Sequence, residues 1–348
     1  MNNLVLKIVN ARRTYRQRMP HAGKLVGLLV LLSLNGCMPM SYPPGARTNT
    51  AQLGDNAFLT EDGASLPLRR WLPEAEPNAV IIALHGFNDY SHFFDAPGHY
   101  FSKLGIACFA YDQRGFGAAP QRGLWAGSDA YAQDLKQLTR LLKQRYPDKP
   151  IYLLGESMGG AIVITAMQQE NMPDVAGIIL AAPALWARST MPWYQTSLLW
   201  TLAHSMPWLT LTGSGLEILP SDNIDMLRAM GRDPMVIKAT RVETVYGLTN
   251  LMDTAFDSAG SLRAHTLMLY GEKDEVIPKE PTYAFLQQML TTDTAEKTVA
   301  IYQNGYHMLL RDLQAPTAWQ DIVAWIKSGP NQLPSGADSR ARQLLSKG

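Results

Sequence analysis

Ile151-Tyr152-Leu153-Leu154-Gly155-Glu156-Ser157-Met158-Gly159-Gly160 is the stretch from which the fold is read. Its opening apolar run suits a strand buried on both faces, the pattern of a parallel sheet. The run leads into G-x-S-x-G, and residues 158–168 then turn helical. A serine on so tight a strand-to-helix turn is held in a strained backbone conformation. Bulky side chains two residues to either side would collide there, which accounts for Gly155 and Gly159. The turn lifts the hydroxyl clear of the sheet, and the helix behind it offers free amides and the positive end of its dipole. With Gly and Ser each about 7% of residues, chance alone gives a G-x-S-x-G in roughly a tenth of chains this long. The strand before it and the helix after it carry the argument.

Outward from this turn the same alternation continues. Ala79–Leu84 (AVIIAL), Ile106–Tyr111 (IACFAY) and Gly177–Ala181 read as buried strands, as do 267–270 and 298–302. Residues 129–146 and 313–326 carry apolar residues at helical spacing. Residues 57–59 and 66–71 flank Asp62-Gly63, a hairpin signal. The expected fold is α/β, a mostly parallel sheet with helices on both faces. Residues 185–263 break the alternation. They hold Trp186, Trp193, Trp200 and Trp208 among many Leu and Met, and predict a mostly helical cap over the sheet edge. The domain proper is read as 56–328, with 329–348 a flexible tail.

An acyl-transfer site needs donors for an oxyanion, a base, and a group to orient the base. Met158 supplies one amide, as the residue after the serine. Leu84-His85-Gly86-Phe87 follows the AVIIAL strand, and the Phe87 amide is the second. The acid and then the base follow a serine of this kind in chain order. Asp274 lies just beyond the strand that ends at Gly271, where ligands sit in open α/β sheets; Glu272 and Glu275 are its rivals. Of seven histidines, His21 lies in the N-terminal segment, and His85, His92 and His99 precede Ser157. His204 lies in the cap, and His265 starts the strand whose far end leads to Asp274, roughly 20 Å from the active edge at about 3.3 Å per residue. His307, in the polar loop 302–307, remains as the base. The expected catalytic set is Ser157, Asp274 and His307, with Phe87 and Met158 as the oxyanion hole.

The N-terminus has a separate reading. Residues 1–36 carry Lys7, Arg12, Arg13, Arg16, Arg18 and Lys24 and no acid, and 25–34 form the short apolar run LVGLLVLLSL. The run is shorter than the ~20 residues of a spanning helix and suits a secretory signal. Leu34-Asn35-Gly36-Cys37 follows, placing a cysteine at the cleavage point. Starting at Met19 in place of Met1 would leave a signal of ordinary length. Residues 37–55, rich in Pro, Gly, Ser and Thr, read as a tether. Without the first 36 residues, 25 Lys and Arg face 30 Asp and Glu, a balance of −5 with no basic block, which disfavours nucleic acid. Two cysteines, Cys37 and Cys108, exclude a disulfide framework, and no Cys/His cluster has metal-ligand spacing. No cofactor is expected.

Taken together, His85-Gly86-Phe87, Asp112-Gln113-Arg114-Gly115-Phe116-Gly117, Gly155-Glu156-Ser157-Met158-Gly159-Gly160, Ala182-Pro183-Ala184, Gly271-Glu272-Lys273-Asp274 and His307 resemble the monoacylglycerol lipase and lysophospholipase branch of the α/β-hydrolases. This branch is also grouped as serine aminopeptidase S33-like hydrolases. The resemblance spans residues 56–328, and the spacings of 117 residues from Ser157 to Asp274 and 33 to His307 agree with it. It implies the α/β-hydrolase fold, a serine esterase acting on lipid esters, and a cap that forms an acyl tunnel above the serine. Phe87 is bulkier than the residue often found there, and the cap sequence is distinctive, so substrate identity does not carry over. Leu34 to Cys37 resembles a bacterial lipobox, implying lipidation of Cys37 and a cell-envelope location, on the outer membrane or its periplasmic side. Two other readings stand beside the esterase. One is an aminopeptidase or amidase using an acidic cap residue such as Glu217 or Asp225. The other is a lipid-anchored binding protein on a dead hydrolase fold. Asp112 and Arg114 are read as structural hydrogen-bonding partners.

Overall fold

The computed structural model describes residues 39–213, 215, 217–291, 295–329 and 332–346. Cys37 and the signal reading therefore lie outside the described residues. A nine-stranded sheet forms the centre, built from β1 (Gln52–Leu53), β2 (Ala57–Leu59), β3 (Ser65–Trp71), β4 (Ala79–Leu84), β5 (Ile106–Tyr111), β6 (Ile151–Glu156), β7 (Gly177–Ala181), β10 (Thr266–Gly271) and β11 (Lys297–Tyr302). Its order is β1-β2-β3-β5-β4-β6-β7-β10-β11. The strands from β5 to β11 run parallel, and the first three form an antiparallel edge.

The order itself locates the site. The chain leaves β4 towards β5 on one side, then returns to β6 on the other and proceeds outward to β11. The crevice outside the carboxyl ends of β4 and β6 is the topological switch point, where open α/β sheets place ligands. Period-two alternation splits the strand side chains between two cores. Val80, Ile82, Leu84 and Leu153 pack on the face covered by α2 (Ser128–Arg145), α3 (Met158–Ala166) and α6 (Val242–Asp257). Ile81, Ala83, Leu154 and Leu269 pack on the face covered by α1 (Asp95–Lys103) and α8 (Ala315–Ser328). The helix α7 (Lys279–Leu290) joins β10 to β11.

Three expected boundaries are corrected. The cap does hold helices, α4 (Trp193–Ser205) and α5 (Ile224–Arg232), each followed by one strand of a two-stranded antiparallel ribbon, β8 (Thr210–Thr212) and β9 (Ala239–Arg241). It ends near Arg241, however, short of 263. The α6 helix buries Leu251, Met252 and Ala255 in the main core, so it belongs to the sheet's own helical layer. The tail expected over 329–348 is not loose across the described residues 332–346. It forms α9 (Ala337–Leu345), buries Leu333, Ala337, Asp338 and Ala341, and pairs Arg340 with Glu272. The apolar positions 337, 341, 344 and 345 have helical spacing that the Gly/Pro-rich lead obscures. The 37–55 tether, finally, does not swing free from residue 42 onward. The Tyr42 amide donates to the Trp125 carbonyl (2.7 Å), the Asn49 amide to the Glu61 carbonyl (2.9 Å), and 52–53 add a strand. An extended chain lying along a sheet edge satisfies backbone donors with no side-chain periodicity to announce it.

Candidate active site

Ser157 sits at the junction of β6 and α3 with φ 53° and ψ −117°. Its amide donates to the Ala181 carbonyl on β7 (3.0 Å), and its carbonyl accepts from the amides of Gly160 and Ala184 (both 2.9 Å). Backbone bonds to two neighbouring segments thus impose the strain. Gly155 and Gly159 are obligatory there. A Cβ on Gly155 would fall 2.3 Å from the Gly159 backbone, and one on Gly159 would fall 2.3 Å from the Leu84 carbonyl oxygen. Across the switch point, a Cβ on Gly86 would lie 3.3 Å from that of Ser157, so the turn after β4 is pressed against the serine.

That turn carries Phe87. Met158, as first residue of α3, has an amide with no intrahelical acceptor. His85, which chain order removes from the candidate bases, holds the Phe87 turn in place. It is fully buried, accepts from the Gln113 amide at Nε2 (3.0 Å) and faces the Gly86 carbonyl with Nδ1 (2.8 Å). The accepting Nε2 fixes Nδ1 as the protonated nitrogen, so the ring is neutral, and burial lowers its pKa in keeping with that. Gln113 returns a side-chain bond to the His85 carbonyl (2.9 Å). The Asp112–Gly117 loop is structural in the way its charges suggested. Arg114 is buried against Asp134 (2.7 Å) and Asp62 (2.6 Å), and Asp112 accepts from Ser91 and Ala118.

His307 and Asp274 meet, with Nδ1 2.9 Å from Oδ2, both buried. The other Asp274 oxygen accepts the amides of Val276 (2.8 Å) and Ile277 (2.9 Å), which fixes the carboxylate. The loop after β11 folds back over the end of β10 because Gly305 and Gly271 touch there: a Cβ on Gly271 would lie 2.4 Å from the Gly305 carbonyl. The rivals are engaged elsewhere, Glu272 by Arg340 (2.9 Å) and Glu275 by the Leu219 amide (2.8 Å). Burial alone would depress His307. The Asp274 charge, its hydrogen bond and the Glu156 charge outweigh burial, and the pKa is raised above 6.5. With Nδ1–H directed at Asp274, Nε2 is left as the basic nitrogen.

Sequence reading missed one cluster. The Arg311 guanidinium is buried 2.8 Å from Asp89 and 2.9 Å from Glu156, the residue before Ser157. It ties together the turn after β4, the serine turn and the histidine loop. Each member looks like surface charge in the sequence, and only their convergence marks them.

Residues 75–314 match the family described as serine aminopeptidase, S33. The chain belongs to that family. Among individual relatives, this S33 hydrolase is 28% identical to a monoglyceride lipase of Mus musculus, covering 83% of this chain and 96% of the relative. It is 22% identical to a monoacylglycerol lipase of Mycolicibacterium smegmatis, covering 79% and 97%. A solved monoacylglycerol lipase from Paleococcus ferrophilus superposes with a TM-score of 0.62 at 20% identity, over 76% of this chain and 99% of that one. A soluble variant of the Saccharomyces cerevisiae monoglyceride lipase, solved with a substrate analog, gives 0.64 at 18%, over 84% and 100%. The α/β-hydrolase fold expected from the serine turn is thus the fold of this S33 hydrolase. Its cap offers no enclosed acidic anchor at the two positions considered for an amine: Glu217 and Asp225 are both exposed, and Asp225 pairs with Arg228 at 3.3 Å.

Proposed function

We propose that the chain hydrolyses carboxylic esters of lipids, of the monoacylglycerol or lysophospholipid kind, through an acyl-enzyme on Ser157. The observation that carries this is the buried 2.9 Å Asp274–His307 pair at the same sheet edge as the strained Ser157. His307 Nε2 takes the Ser157 proton as Oγ attacks the ester carbonyl. The amides of Phe87 and Met158 receive the oxyanion, and the alcohol leaves with the proton. Water, activated by the same imidazole, then frees the acid. Similarity to monoglyceride lipases supports the lipid ester as substrate, and the two acids considered as an amine anchor, at 217 and 225, are exposed. We further propose that Cys37 is lipidated and holds the enzyme at a bacterial envelope membrane, on the outer-membrane or periplasmic side.

The test is a panel of p-nitrophenyl esters of rising chain length, with monoolein, lysophosphatidylcholine and an aminoacyl p-nitroanilide. The lipid esters should exceed the anilide in kcat/KM by on the order of 100-fold or more. A preference for the anilide would overturn the assignment.

The acid–base roles predict a pH effect. Only neutral His307 can act as base, so its raised pKa places the acid limb of kcat/KM above pH 6.5. Asp274→Asn removes both the charge and the carboxylate hydrogen bond that raise it. The limb then moves to lower pH, and kcat falls by about 10⁴-fold because the tautomer is no longer held. A pH–rate profile of the variant reads both; an unmoved limb would separate Asp274 from the base.

A further inference from the structure

We propose that Asp312 is the positioning residue of the base, and that through Ser221 it makes the place of His307 depend on the cap being seated. The proposal rests on the esterase reading above for the role of His307, and on bonds that reading does not use.

The backbone poses the problem. His307 lies on irregular chain between β11 and α8. No strand or helix ladder fixes its main chain, and its imidazole is tied to Asp274 through Nδ1. That bond orients the ring, but the ring can serve Ser157 only if the chain on both sides stays in place. On one side the Tyr306 amide donates to Asp312 Oδ2 (2.8 Å). On the other the Met308 amide donates to the Pro220 carbonyl of the cap (3.0 Å). These two bonds bracket the histidine.

Asp312 is held from the cap in turn. The Ser221 hydroxyl donates to Asp312 Oδ1 (2.6 Å), with the serine fully buried and the aspartate nearly so. A hydroxyl bonded to a carboxylate is charge-assisted and short, the stronger kind of hydrogen bond. One carboxylate thus takes the base loop on one oxygen and the cap on the other. Loss of either donor leaves a buried oxygen unpaired.

The residues around Ser221 repeat the pattern. The Leu219 amide donates to Glu275, beside the acid Asp274 (2.8 Å). Asp222 accepts the Leu313 amide (2.8 Å), and Asn223 Nδ2 donates to the Arg311 carbonyl (2.9 Å). With Pro220 and Ser221, five consecutive cap residues each bond to the loop of the acid or the loop of the base. The far end of α5 is tied to the body elsewhere, by the Tyr90 hydroxyl to Asp233 (2.7 Å). Movement of 219–223 would therefore carry Tyr306 and Met308 with it, and His307 between them. A shift of about 1 Å at a reacting group can cost on the order of 100-fold in rate.

The experiment uses the full chain and p-nitrophenyl acetate, a soluble ester with a short acyl group. Asp312→Ala should lower kcat roughly 100-fold with KM changed less than about twofold. Asp312→Asn offers an oxygen to Tyr306 and an amide to the Ser221 oxygen, and should return kcat to within about fivefold of the parent. Ser221→Ala should lower kcat roughly tenfold, and combining it with Asp312→Ala should cost no more than Asp312→Ala alone, since both act through one bond. Tyr90→Phe cuts a cap bond that does not lead to His307, and should lower the melting point with kcat kept. Parent kcat in Asp312→Ala, asparagine as slow as alanine, additive losses in the double variant, or a Tyr90→Phe loss of kcat equal to that of Ser221→Ala would each overturn the proposal. Should Asp312→Ala fail to fold, Ser221→Ala against Tyr90→Phe decides. A second measurement needs no turnover. The far-downfield NMR resonance of the His307 Nδ1 proton, identified by its loss in His307→Gln, should shift or broaden in Ser221→Ala and Asp312→Ala and stay put in Tyr90→Phe. A resonance unmoved in both latch variants would overturn the proposal. A parent inactive on every ester would instead remove the esterase reading, and the resonance would still show whether Asp312 places the imidazole.

Discussion

Ser157→Ala should lower kcat for every ester the enzyme accepts by roughly 10⁴- to 10⁶-fold, with the folded structure unchanged. At 1.36 kcal/mol per decade this is about 5–8 kcal/mol of transition-state stabilisation. No side-chain replacement in the oxyanion hole should approach it. The oxyanion donors are main-chain amides, and a side-chain change at Phe87 or Met158 leaves them present. Folding is spared because the turn is held by backbone bonds to Ala181, Gly160 and Ala184, none of which uses the hydroxyl. The Cβ that alanine keeps already has its space beside Gly86. The activity that remains comes from the oxyanion hole and substrate binding. Hydrolysis of p-nitrophenyl butyrate, labelling by a fluorophosphonate and a thermal melt check the three parts. A variant that melts normally and still turns over ester at the parent rate would remove Ser157 from the mechanism, and the esterase reading with it.

What could be read from the chain follows from which interactions are local. β4, β5 and β6 declare themselves as short apolar runs because each is buried on both faces. The serine turn declares itself because both glycines fall in one short motif, although only Gly155 answers a local clash and Gly159 makes room for Leu84 on β4. Asp274 could be placed on the right loop by strand geometry alone, but only the fold shows Glu272 turned to Arg340 and Glu275 to Leu219. Arg311 was illegible for the opposite reason. Its partner Glu156 is 155 residues away, and burial, not residue type, turns these charges into structure. The same holds for α6, whose sequence fits a cap helix as well as a layer helix until Leu251 and Ala255 are seen under the sheet. Chain order leaves His85 out of the candidate bases. Its service to the Phe87 turn depends on the Gln113 amide, a contact between the ends of two strands that no periodicity encodes.

Arg311→Met should cost both stability and rate. Glu156 is fully buried with Arg311 as its ion-pair partner, and its second oxygen has no hydrogen-bond partner among the described residues. Burial already raises the Glu156 pKa, and the Arg311 charge opposes that rise. Taking the cation away leaves Glu156 and Asp89 facing each other without it. Breaking a buried pair from one side typically costs about 3–5 kcal/mol. The lower end applies here, because Arg311 and Asp89 line a cavity of about 360 Å³ that gives water a route to the orphaned carboxylates. A melting point lower by on the order of 10 °C is expected. Arg311→Lys keeps the charge, but one ammonium cannot reproduce the guanidinium that spans both carboxylates, so it should recover part of the stability and less of the rate. Adding Glu156→Gln to Arg311→Met removes one uncompensated charge and should restore part of the melting point. Rate should stay low, since the serine turn, the Phe87 turn and the histidine loop remain unclamped. Melts and kcat/KM across the three variants separate the two effects. If the double variant recovered rate in step with stability, Arg311 would be a fold residue only, and the alignment of the three loops would have to come from their backbone bonds alone.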